Sequence, residues 1–71
     1  MRRANMTIIH YRKLVTGRYR APFYEHFWQI ATCQGDWIFQ GRHGFHNAVI
    51  RLKQVYGHCK LTYNVKHAED L

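Results

Sequence analysis

The chain has 71 residues, 46% of them apolar and 15% aromatic, and carries a formal net charge of +7 from eleven Lys and Arg against four Asp and Glu. That length allows one domain with a small core, and the apolar fraction is too high for a disordered chain. Two cysteines exclude a disulfide framework, and no apolar run is long enough to span a membrane. Arg2 and Arg3 lead into no apolar stretch of the signal-peptide kind, so the sequence predicts a cytoplasmic protein with free thiols. Met6 is an alternative start, and residues 1–5 read as a flexible basic arm.

Met6–Val15 is rich in β-branched and aromatic residues and predicts a strand. Thr16–Pro22 follows as a loop bracketed by Gly17 and Pro22, with Arg18, Tyr19 and Arg20 at its centre. Phe23–Thr32 predicts a second strand. Alternation puts Tyr24, His26, Trp28 and Ile30 on one face and Phe23, Glu25, Phe27, Gln29 and Ala31 on the other. Cys33–Asp36 supplies a tight turn in which Gly35 is free to take positive φ, and Trp37–Gln40 reads as a short third strand.

Gly41–Gly44 is a glycine turn into a helix predicted from about Asn47 to Tyr56. Ala48, Val49, Leu52, Val55 and Tyr56 fall within one arc, the stripe of a helix lying on a sheet. His46 or Asn47 is the expected N-cap, Phe45 and Ile50 stand at staple positions, and Gly57 is the expected left-handed C-terminal cap. Cys59–Lys66 alternates cleanly. Cys59, Leu61, Tyr63 and Val65 form a face to bury, and Lys60, Thr62, Asn64 and Lys66 a wet, basic one. The expected fold is therefore a small α+β domain, residues 6–67, ordered β-β-β-α-β. It comprises an antiparallel three-stranded sheet, one helix and a further C-terminal strand, with residues 68–71 as a tail.

Little in the residue set supports catalysis. The chain has no serine, and Glu25 and Asp36 are the only carboxylates outside the tail, too far apart for a metal-dependent nuclease. The expectation is a protein that is not an enzyme and has no cofactor. His43, His46, His58, Cys33 and Cys59 are the metal-ligand types near one another. They lack the two close pairs of a structural zinc site, so no metal is expected.

Charge is the stronger signal. Residues 1–24 hold Arg2, Arg3, Arg12, Lys13, Arg18 and Arg20 and no acid. Such asymmetry points to a negatively charged partner, with arginine and lysine holding phosphates and neighbouring aromatics stacking on bases. The candidate contact residues are Arg12, Lys13, Arg18, Tyr19 and Arg20. Arg42 joins them because it precedes a helix N-terminus that attracts anions. The primary expectation is a binding module for nucleic acid or a nucleoprotein complex. The alternative is an inhibitor or adaptor docking an acidic protein surface. No membrane partner is expected, and an open edge strand is available for a homodimer.

The stretch FWQIATCQGDWIFQGRHGFHNAVIRLKQVYG resembles two β-β-α families. Its Gly44-Phe45 step into the helix is similar to that of the YegP-like repeat. Trp28, Gly35, Gly41 with Phe45, and Tyr56 resemble landmarks of the ethylene-response-factor type DNA-binding domain. That resemblance implies a three-stranded sheet reading a major groove, backed by one helix. Two additional residues between Gly41 and Phe45, and a strand after the helix, depart from that pattern. In size and mixed α/β make-up the chain also resembles phage-encoded inhibitors of host RNA polymerase and anti-CRISPR proteins, which would imply a host complex in the cytoplasm as partner.

Overall fold

A computed structural model describes residues 2–68; Met1 and three residues of the expected tail lie outside the described residues. The elements are β1 (Arg3–Val15), β2 (Phe23–Thr32), β3 (Gly35–Gln40), α1 (Gly44–Tyr56) and β4 (Lys60–His67). The domain is α+β with one helix, as the alternation and the helical stripe predict. The sheet differs from expectation: it is four-stranded and mixed, in the order β3-β2-β1-β4. β2 is antiparallel to β1 and to β3, whereas β4 lies parallel to β1, with Arg3 opposite Lys60 and His10 opposite His67. The helix is the crossover that a parallel return requires. β1 also begins at Arg3, so Arg3–Asn5, expected in a loose arm, are paired with Lys60–Thr62, and Ala4 is buried.

The pairings sort the side chains onto two faces. Ala4, Met6, Ile8, Trp28, Ile30, Trp37, Phe39 and Leu61 face the helix, and Ile8, Ile30, Ala48 and Leu52 are wholly buried at the centre. Val49 and Tyr56 pack against that centre, as the helical stripe predicts. Tyr63 and Val65 share this face but stay 41% and 38% exposed, because α1 lies chiefly over β2 and β3. The expected buried face of β4 is thus buried only in part.

The helix starts at Gly44, three residues before the expected position, with His43 at the N-cap and no side-chain cap. Asn47, expected as a cap, is inside the first turn, and its N–H donates to the His43 carbonyl at 2.9 Å. Gly44 permits the early start: it lies directly on Trp28, where a Cβ would stand 2.6 Å from Cε3. Phe45 packs on Trp28, ring centroids 6.4 Å apart, and Ile50 is left 40% exposed. Gly57 has φ −65° and is not a left-handed cap; a side chain there would collide with the Lys53 carbonyl. Gly35 does take positive φ, as does Gly41. The Cys33–Gln34 turn is tied by the Thr32 hydroxyl, which donates to the Gly35 carbonyl and accepts from the Gln34 N–H.

Candidate nucleic-acid interface

The site is built by unequal strand lengths. β4 stops opposite His10, and β3 stops opposite Phe27. From Arg12–His26 to Val15–Phe23, β1 and β2 therefore continue as a ribbon with no strand on either side among the described residues. Four residue pairs at the usual rise carry it roughly 13 Å beyond the body, and the Thr16–Pro22 loop extends it further. The domain is accordingly elongated, 53 Å in its longest dimension against 24 and 18 Å.

Four cations belong to this projection, Arg12, Lys13, Arg18 and Arg20, against the single acid Glu25. Arg18, Tyr19 and Arg20 are exposed in the loop, Tyr19 at 92%. Arg12 lies on the helix side of the ribbon with its guanidinium 4.4 Å from the centre of the Tyr24 ring. Arg20 stands 5.7 Å over Phe23. Such stacking orients a guanidinium without removing its in-plane donors. Lys13 is on the opposite face, across from Glu25. Arg42 lies at the ribbon's base, where it lines a cleft of about 370 Å³ with Tyr24, Glu25, His26, Trp28 and Gly41. The Gly41 N–H donates to the His26 carbonyl at 3.1 Å and ties the turn to the ribbon edge. Tyr24 thus links Arg12 and Arg42. Arg18, Tyr19 and Arg20 form a separate group at the tip.

One cluster escaped the sequence reading. His10 Nε2 lies 2.8 Å from His26 Nδ1, and His10 Nδ1 lies 2.9 Å from His67 Nδ1. The rings of His10 and His26 are stacked at 5.0 Å, and His10 also packs on Trp28. Period-two alternation placed His26 beside Trp28, but only the β1–β4 register brings His67 into the row. His10 uses its two nitrogens in opposite directions, so the three rings do not converge on one point. Among the described residues, no group of three or more His, Cys, Asp or Glu is arranged to hold a metal ion. Also among the described residues, no helix is long and apolar enough to cross a membrane.

No family model, no curated protein and no solved structure matches the chain.

Proposed function

We propose that the protein is a non-catalytic module that binds nucleic acid through the β1–β2 ribbon, its loop and Arg42. The carrying observation is the ribbon itself, two strands and a loop with four cations and one acid, with no flanking strand among the described residues. A narrow ribbon tracks a backbone or enters a groove, and its arginines supply phosphate contacts. Arg42 lines the cleft at the base, Arg12 stacks on Tyr24, and Arg18 and Arg20 belong to the tip, so the cations are spread along the arm.

The test is binding of labelled random-sequence duplex and single strands at two salt concentrations. Affinity is expected to fall roughly tenfold or more between about 50 and 200 mM salt for a few phosphate contacts. Arg18→Glu with Arg20→Glu, both on exposed loop positions, should abolish binding and leave the fold intact. Absence of binding to every nucleic acid at the lower salt overturns the proposal.

A second reading, an inhibitor or adaptor on an acidic protein surface, is favoured by the ribbon's apolar exposure. Leu14 and Tyr24, paired across the strands, are 53% and 49% exposed, and Phe23 is 38% exposed. Its signature is one protein partner retained from nuclease-treated lysate and lost on the same double charge reversal.

A further inference from the structure

Among the described residues, no element covers the sheet face away from the helix, and at its middle two aromatics stack on each other. Tyr11 of β1 and Phe27 of β2, the two central strands, face one another with ring centroids 5.1 Å apart and planes within 11°. Ile9 and Ile38 stand in the adjoining row on either side of Gln29. Ile38 is 57% exposed, and Gln40 is opposite Phe27. Among the described residues, the flank of Tyr11 away from Phe27 has no neighbouring strand, because β4 ends at His67 opposite His10. Both rings are half-buried, so each keeps part of its surface accessible.

The surroundings are cationic. Lys66 is opposite Ile9, one row from Tyr11, and Lys13 is two residues farther along β1 on the same face. Arg3 and Lys60 are paired at the far end. The acids on this face are Glu25, across from Lys13, and Asp36, which accepts a hydrogen bond from Gln29 at 3.2 Å. Between the cations lie Thr7 with Asn64 and Asn5 with Thr62, hydrogen-bonded pairs that keep the surface polar.

We propose that this face binds an unpaired nucleic-acid strand, with a base stacked against the Tyr11–Phe27 pair and its phosphates held by Lys13 and Lys66. The inference rests on the nucleic-acid reading above and specifies the form of the ligand. A duplex keeps its bases stacked internally and gains nothing from an aromatic platform, whereas every unpaired base has a π-face to offer. A second copy of this chain on the same face would set four cations against four cations. An anionic chain that also carries flat apolar rings matches both features of the surface.

The experiment is fluorescence anisotropy with labelled oligo(dT) and oligo(U) of about eight nucleotides, beside a random duplex, at about 50 mM salt. Tyr11→Leu is expected to weaken both single strands roughly 5- to 150-fold, the range for loss of one stacked base, with duplex affinity unchanged. Tyr11→Trp should retain wild-type affinity. Lys13→Gln with Lys66→Gln, which leaves the aromatic pair in place, should also weaken single strands, so the proposal stays open to refutation if the leucine variant does not fold. Equal losses for duplex and single strands with Tyr11→Leu overturn the platform, as does single-strand binding indifferent to both variants. If duplex binding is then still lost on Arg18→Glu with Arg20→Glu, the ribbon reading survives alone. If no nucleic acid binds, both fail.

Discussion

Gly44 and Trp28 meet so closely that the glycine's missing side chain is part of the packing. A Cβ at Gly44 would lie 2.6 and 2.8 Å from Cε3 and Cζ3 of the indole. The indole has little room to yield, since His10 and Phe45 pack against it. Gly44→Ala is therefore expected to destabilise the domain by about 1–3 kcal/mol, the usual cost of overpacking, despite alanine's better helix propensity. Denaturant unfolding with an unchanged m-value would register it. Gly41 provides the contrast: a Cβ there meets nothing within 4 Å, but φ is +90°. Gly41→Ala should cost only the backbone strain, about 1 kcal/mol.

Leu52 is the helix's main contribution to the core and is fully buried against Ile8, Ile30 and Ala48. With four wholly buried apolar side chains at its centre, the domain has little stability to spare. Leu52→Ala is expected to cost about 2–5 kcal/mol and to leave a substantial unfolded fraction at 37 °C. Lys53 and Gln54 are exposed, and alanine at either should change the melting temperature little. Circular dichroism melts of the three variants make the comparison.

Which parts of this were legible in the sequence follows from the physics of each. Alternation in Phe23–Thr32 and the stripe Ala48–Leu52–Tyr56 are local patterns, and they point to the strand, the helix and the helix face that meets the sheet. Where β4 would lie was not legible: Lys60–His67 has the same alternation whether it joins either edge or neither, and the register is decided by the length of the crossover. Ala4 and Asn5 carry no strong strand signal and become strand through pairing with Leu61 and Thr62. The helix start was missed because capping residues were sought, whereas the helix begins at the glycine that fits on Trp28. Among the candidate contact residues, Arg12 meets Tyr24, and Arg42 lines a cleft with Tyr24, only through the fold. Tyr11, the centre of the open face, sat in plain view between His10 and Arg12, and only its β2 partner marks it out.

The histidine row makes an energetic prediction. His10 contacts His67 through Nδ1 and His26 through Nε2, joining β4 to β2 across β1. His26 and His67 are exposed, so each contact should be worth about 0.5–1.5 kcal/mol, the net value of an ordinary hydrogen bond. A double-mutant cycle with His10→Phe and His67→Ala is expected to show coupling of that size, since phenylalanine keeps the ring on Trp28 and loses the nitrogens. The same cycle between His10 and His43, which lies outside the row, should be additive.

Tyr56 ties stability to alkaline pH. Its phenol is raised above the ordinary value of 10.0 first by burial near the core, then by the neighbouring Cys33 thiol through charge and a hydrogen bond, and by the charge of Cys59. The folded state then holds this proton more tightly than the unfolded state. Between the unfolded and folded values the native form binds more protons, so stability falls with rising pH there. The contribution is fully present below pH 10 and is lost as pH rises through the folded value. Phenolate absorbance should show Tyr56 ionising above the ordinary tyrosine value of 10.0, and Tyr56→Phe should flatten the alkaline loss of stability. Cys33→Ala removes a neighbouring charge and a hydrogen bond, and should return the Tyr56 titration towards its ordinary range. A titration of Tyr56 unmoved by that substitution would remove Cys33 from the account and leave burial and Cys59 as its causes.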